Sequence, residues 1–414
     1  MRWVAFIPLH GDSKRNVNCA DVNCATGVNS LRQMAGRPLF AWGLEQAIAS
    51  GCFDAIYLIA DSPAEIRKEV ADEFPSADKL VEVLDYDTVQ DEGSRDRALL
   101  EFQQKLLSDA PFDVMCLIQV ASPLTRAEDF RAAKQKFLSE SLDSLLTAVQ
   151  SKRFFWTRAG APVGFDAMKR PARPDIEGYL VENGAFYLTN AKLLADHHCR
   201  LGGRIGIHEM TAETAIEIID EAGWMAVEQL LLKQKLASAK ARASHIKALV
   251  LDVDGTLTDA GMYYGPAGEA LKKFNTRDAH GLQLLRENGI SICVISTEDS
   301  PAVGARMKKL RIDEYYPGVQ KKLPLLLQLA KRWGIALQDI GYIGDDLSDL
   351  ECLSRVGSAF CPADAVSEIL RQAHYICERA GGHGAVREVC DLILQSSQPS
   401  EVIPQKYTEA EAYQ

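Results

Sequence analysis

"IKALVLDVDGTLTD", residues 246–259, decides the fold of the second half of this chain. Ala248 to Leu251 form an unbroken apolar run, which suits a strand covered on both faces in a parallel sheet. Asp252 and Asp254 follow at its carboxyl end, where open α/β sheets place their active sites. Gly255 lets the backbone turn tightly behind them. A carboxylate at Asp252 can attack phosphorus and form an acyl-phosphate that water later cleaves. Asp254 can protonate the leaving oxygen and then activate that water.

Three later stretches complete the set. "ISICVIS" (290–296) ends a second strand on Ser296, a hydroxyl able to grip a phosphoryl oxygen. "GVQKKLPLL" (318–326) offers Lys322 to neutralise a phosphoryl group. "GYIGDDLSDL" (341–350) ends a third strand on Asp345, Asp346 and Asp349, hard oxygen donors that suit Mg²⁺. Any one of these pieces is common at a strand end. Their occurrence together and in this order is not.

Working outward, the first half shows the same alternation of buried runs and helical spacing. "AIYLIA" (55–60), "DVMCLIQV" (113–120), "DSLLTAV" (143–149) and "GAFYLT" (184–189) read as strands. "DRALLEFQQKLL" and "AEDFRAAKQKFL" read as helices between them. The expected fold class is α/β, with two doubly wound, Rossmann-like domains. The seam falls near 235–245, giving domains 1–235 and 245–396; the tail 397–414 has no periodicity and reads as disordered.

The chain has 414 residues and a net charge of −11, which argues against a general nucleic-acid or membrane-surface binder. No apolar stretch approaches the ~20 residues of a membrane span, and the N-terminus lacks a signal-peptide pattern. Ten scattered cysteines read as reduced core thiols, so a cytoplasmic location is expected. Cys19 and Cys24 lack metal-ligand spacing and read as loop residues. Near the N-terminus, the run Val4–Pro8 leads into Gly11, Ser13, Lys14 and Arg15, an order suited to a turn that holds an anion.

With these residues in view, 246–395 resembles the haloacid dehalogenase superfamily, in the branch acting on 8- or 9-phosphates of 3-deoxy-2-keto sugar acids. "KKFNTRDAHGLQLL" (272–285) and "GGHGAVREVCDLIL" (381–394) match that branch. The resemblance implies Asp252 as nucleophile, Asp254 as acid/base, and Ser296 and Lys322 as phosphate grips. It implies Mg²⁺ held by Asp252, the Asp254 carbonyl and Asp345, with Asp349 in support, and substrate contacts from Arg277 and Arg387. The gaps between Asp252, Ser296 and Lys322 are too short to house a cap domain. A capless site needs another lid, and the resemblance implies a homotetramer built through the C-terminal domain.

Residues 1–230 resemble acylneuraminate and 3-deoxy-manno-octulosonate cytidylyltransferases, on "LIQVASPLTRAEDF" (117–130), "VENGAFYLTN" (181–190), "LGGRIGIHEM" (201–210) and "AGRPLFAW" (35–42). The implied reaction joins a sugar acid to CMP from CTP with loss of pyrophosphate. By position, Gly11, Ser13, Lys14, Arg15, Gln119 and Ser122 would bind nucleotide; Arg173, Asn183 and Tyr187 would face the sugar acid. The pattern departs from the family in places. Asp12 stands where a glycine is usual, Asn29-Ser30 replaces a Lys-Asn pair, and Glu217-Ile218-Ile219 replaces an Asp-x-Asp metal pair. Arginines usual near 85–95 are displaced to Arg95 and Arg97. The combined expectation is a bifunctional enzyme that removes the phosphate of a 3-deoxy-2-keto sugar acid and activates the acid with CTP. The alternative is a phosphatase carrying a non-catalytic nucleotidyltransferase-like scaffold.

Overall fold

The structure, a computed structural model, describes residues 1–9, 29–60, 62–85, 103–266 and 268–397. The chain forms two compact units, Met1–Leu232 and Lys233–Gln414. Both are α/β, as the alternating pattern predicts.

The first unit is built on a seven-stranded sheet in the order Ile205–Met210, Ser144–Ser151, Tyr179–Asn190, Val114–Ile118, Trp3–Leu9, Ala55–Ala60, Val81–Asp85. Tyr179–Asn190 runs antiparallel to both its neighbours; the other pairings are parallel. The strand read as 184–189 therefore begins five residues earlier. Its first part, Tyr179 to Glu182, is exposed although three of its four residues are apolar or aromatic, and it holds its place by pairing with Ser151 to Ala148. The register shifts between Glu182 and Tyr187. That irregularity matters below, because bulges re-aim side chains beside active sites. Trp3, Phe6, Phe40, Phe130 and Phe186 fill the core with fully buried rings, and Trp224, Val227 and Leu231 of the helix Glu221–Ala243 join them.

The second unit is a six-stranded, wholly parallel sheet in the order Glu314–Tyr316, Ser291–Ile295, Ala248–Leu251, Ile340–Ile343, Ser358–Cys361, Tyr375–Ile376. Leu251 lies opposite Val294 on one side and Ile343 on the other. Asp252, Ser296 and Asp345 each follow those partners by one or two residues, so parallel register alone brings all three to one sheet edge. Between Asp252 and the strand Ser291–Ile295 the described residues hold a two-stranded hairpin, Tyr263–Gly265 with Gly268–Leu271, and the helix Thr276–Glu287. No cap domain stands among the described residues of this stretch, and the hairpin exposes Tyr264 (72 %) and Leu271 (65 %).

Candidate active sites

In the second unit the reactive carboxylates are set in the dry end of the sheet. Asp252 is nearly buried, and its backbone N–H donates to the Ile343 carbonyl at 3.0 Å, which fixes it to the neighbouring strand. Lys322 opens the helix Lys322–Trp333 and points its whole side chain inward. Its Nζ lies 2.7 Å from Asp252 Oδ1 and 2.7 Å from Asp349 Oδ1. Burial pulls the ammonium down, but Asp252 and Asp349 outweigh it and hold the pKa above its ordinary value. Burial, helped by Asp349 and opposed by Lys322, pushes the Asp252 carboxyl well above the usual range.

Asp349 acts as the hub. Its Oδ1 accepts from Lys322 and from the Tyr342 hydroxyl at 2.6 Å; its Oδ2 accepts from the backbone N–H of Asp345 at 3.3 Å and of Asp346 at 3.5 Å. With both oxygens so engaged, it ties the lysine to the Asp345 loop. Asp345 in turn accepts from Thr256 Oγ1 at 2.9 Å, and burial raises its pKa to about 7. Gly255 has φ +84°, and a Cβ there would stand 1.9 Å from Asp345 Oδ2. Only glycine lets the two loops approach.

Oxygens of Asp252, Asp345 and Asp349 lie within 4.8 Å of one another. Three carboxylates against one ammonium leave a negative, all-oxygen cluster, a donor set that fits Mg²⁺. The Asp254 carboxylate is not in that cluster. It turns to Lys272, whose Nζ donates to Asp254 Oδ1 at 2.6 Å, while Oδ2 is buried without a hydrogen-bond partner among the described residues. Ser296 is buried, and its Oγ accepts from the Glu298 N–H at 3.2 Å. Arg277 is exposed on the first turn of its helix. Arg387 is tied down, its Nε donating to both Asp391 oxygens at 2.8 and 2.9 Å.

The first unit holds a more open site. A cavity of about 210 Å³ is lined by Gln119, Ser122, Glu182, Asn183, Tyr187 and Glu217, among others. Four residues singled out from the sequence thus share one cavity. The strand bulge explains the grouping: Gly184, at φ +63°, brings the chain close to the Gln119 side chain. Asn183 lines the cavity, yet its Nδ2 donates inward to Thr214 Oγ1 at 3.0 Å. The Tyr187 hydroxyl donates to Glu182; burial and that carboxylate raise its pKa and keep it protonated. Arg173 stands exposed on a short turn, Arg173–Asp175, and is not among the lining residues. Gly11, Ser13, Lys14 and Arg15 lie outside the described residues, as do Arg95, Arg97 and the tail from 398. No helix among the described residues is long and apolar enough to cross a membrane.

Lys272, Thr256, Tyr342 and Glu182 are the site residues that sequence reasoning missed. Thr256 sits inside the quoted motif and could have been found there. Lys272, Tyr342 and Glu182 also fall inside quoted stretches, but nothing in those stretches separates them from their neighbours until the hairpin, strand and bulge fold.

Comparison with known proteins follows the same division. The haloacid dehalogenase-like hydrolase family matches residues 313–389. The 3-deoxy-D-manno-octulosonate 8-phosphate phosphatase of Escherichia coli is 39% identical over 158 residues, 38% of this chain and 84% of that protein. N-acylneuraminate cytidylyltransferases A and B of Danio rerio are 26% and 28% identical over 375 and 384 residues, covering 89% and 90% of this chain and 85% and 88% of those proteins. A crystal structure of the octulosonate phosphatase of Moraxella catarrhalis, holding magnesium, phosphate and KDO, is 38% identical, covers 38% of this chain and 91% of that one, and has a TM-score of 0.38. The chain belongs to the haloacid dehalogenase-like hydrolases through its C-terminal region, and over most of its length it is homologous to the N-acylneuraminate cytidylyltransferases.

Proposed function

We propose that residues 245–396 are a phosphatase domain acting on the phosphate ester of a 3-deoxy-2-keto sugar acid, and that residues 1–235 join such an acid to CMP from CTP. The observation that carries the first activity is the buried Asp252–Lys322–Asp349 cluster beside Asp345. An Asp252 oxygen attacks phosphorus, forming an acyl-phosphate as the bond to the sugar oxygen breaks. That oxygen leaves as the alcohol with a proton from Asp254. Water then gives a proton back to Asp254 and attacks phosphorus; the acyl-phosphate bond breaks, phosphate departs and the Asp252 carboxylate is restored. Lys322 neutralises charge on Asp252, and the Ser296 hydroxyl would hold a phosphoryl oxygen. Mg²⁺ held by Asp252 and Asp345, with the Asp254 carbonyl and Asp349 in support, would supply further charge neutralisation when bound.

The cavity containing Gln119, Ser122, Asn183 and Tyr187 supports the second activity. One specific observation favours the scaffold alternative. Ile219, where the related enzymes carry a metal carboxylate, is an exposed apolar side chain (67 %), and leaves Glu217 as the sole lining carboxylate of that pair. The exposed hairpin of the second unit supports homotetramer assembly through this domain, and the composition supports a cytoplasmic location.

Two assays on the full chain test the proposal: phosphate release from a panel of 3-deoxy-2-keto sugar-acid phosphates, and pyrophosphate release from CTP with the free acids. Phosphate without pyrophosphate leaves the scaffold reading. Neither product sinks both.

A further inference from the structure

We infer that Lys272 is the positioning residue of the acid/base, fixing which oxygen of Asp254 faces the leaving group. The inference rests on the phosphatase reading above. Lys272 follows the second hairpin strand, has no exposed side-chain surface, and lies 2.6 Å from Asp254 Oδ1 and 3.5 Å from Glu269 Oε2. Glu269 accepts in turn from the Ser300 hydroxyl at the start of the helix Pro301–Leu310. The ammonium is therefore held from two sides, by the hairpin's own glutamate and by the catalytic loop. Lys273, one residue on, points the other way, is half exposed and pairs with Asp259 at 2.9 Å.

The two oxygens of a carboxyl group are chemically equivalent, and rotation of the side chain exchanges them. A fixed charge-assisted hydrogen bond breaks that equivalence. Lys272 claims Oδ1, which Thr258 Oγ1 also approaches at 3.5 Å. Oδ2 has no partner among the described residues, so it is the oxygen left uncommitted, and it carries the transferable proton once substrate displaces what covers it. A general acid acts only when its proton lies within hydrogen-bond reach of the departing oxygen. Lys272 supplies that geometry, and through Glu269 the hairpin shares in setting it.

The test is leaving-group dependence in the Mg²⁺-supplied full chain. 4-Nitrophenol departs as a stable anion and needs little protonation; phenol needs more. The quantity measured is kcat/KM, which stops at the transfer to Asp252 and so excludes the later activation of water. In Lys272→Met, kcat/KM should fall about ten- to a hundred-fold for phenyl phosphate and less than about threefold for 4-nitrophenyl phosphate, the selectivity expected when general-acid assistance is lost. Lys272→Gln, which keeps a donor without the charge, gives a second reading should the first variant fold poorly. Equal losses on both esters would make Lys272 merely structural, and unchanged rates would make it a bystander; either result overturns the inference. Asp252→Asn separates the underlying reading. If that variant hydrolyses both esters like the parent, the phosphatase assignment itself falls, whatever Lys272 does.

Discussion

The carboxylate cluster of the second unit and the cavity of the first both stand at sheet edges, and they are built in opposite ways. In the cluster, Asp252 and Asp349 are buried and share the Lys322 ammonium before any substrate arrives, which leaves the cluster negative. In the cavity, Glu182 and Glu217 face space with Asn183 and Tyr187, and the cationic turn expected from the sequence is not among the described residues. Covalent phosphoryl transfer requires side chains fixed at contact distance, which strands supply. Nucleotidyl transfer requires mainly cations and dipoles around phosphates, which loops supply. The difference teaches that the first chemistry is inscribed in strand ends and the second in the segments between them.

The sharpest way to break the comparison is to remove the nucleophile. Asp252→Asn should lower phosphate release on the order of 10⁴-fold or more while far-UV circular dichroism stays that of the parent. Release at near-parental rates would mean that the buried cluster is only architecture.

The buried, lysine-bridged carboxylates also predict a stability effect with no counterpart in the open cavity. Lys322→Met leaves Asp252 and Asp349 facing each other without their cation. Breaking a buried ion pair by removing one partner costs about 3–5 kcal/mol. Urea titration of parent and variant reads this directly. A loss below about 1 kcal/mol would mean that water reaches the cluster more freely than its burial suggests.

Asp278 sharpens the same contrast at a position outside the cluster. It is buried, accepts from the Arg387 backbone N–H at 2.8 Å, and has its second oxygen buried without a partner among the described residues. Burial raises its pKa to about 6, against nearby cations that pull it down. An acid whose pKa is higher folded than unfolded costs stability once it ionises. The cost is absent well below pH 4, grows as pH rises to about 6 and stays constant above. Over that window it amounts to about 3 kcal/mol. The stability difference between parent and Asp278→Asn should therefore change by about that much between pH 3 and 7. An offset from the new amide nitrogen would shift the curve without bending it. A flat difference across the window would show that water hydrates the ionised carboxylate.

Legibility follows the same line. The strands Ala55–Ala60, Ser291–Ile295 and Ile340–Ile343 lie where short apolar runs place them, because a two-sided buried strand has only apolar residues to offer. Asp252, Ser296 and Asp345 were legible because parallel register converts strand ends into neighbours. Lys272 was not. In "LKKFN" two adjacent lysines look alike, and only pairing of Tyr263 with Leu271 decides which one turns inward. The exposed start of Tyr179–Asn190 was hidden for a related reason, since its place depends on backbone pairing with Ser144–Ser151 rather than on burial of its side chains.

The smallest expected effect decides whether the first unit is the second's equal in chemistry. The sequence puts Lys14 next to Arg15 in the glycine-containing segment after Val4–Pro8, with Asn29-Ser30 where the resemblance would put a Lys-Asn pair. Lys14 is then the main cation available to a triphosphate from this segment. Lys14→Ala should remove one charge-assisted contact, on the order of 1.5–3 kcal/mol, or about ten- to a hundred-fold in CTP affinity. Asp12→Gly should act in the opposite sense, because it removes a like charge from the segment. Calorimetric titration of CTP with Mg²⁺ into parent and both variants separates the readings. Binding in the parent that weakens in Lys14→Ala and strengthens in Asp12→Gly makes the segment a working nucleotide site. If the parent does not bind CTP and Asp12→Gly does not create binding, the cavity around Gln119 and Tyr187 belongs to a scaffold. The only chemistry left in the chain is then that of its buried carboxylates.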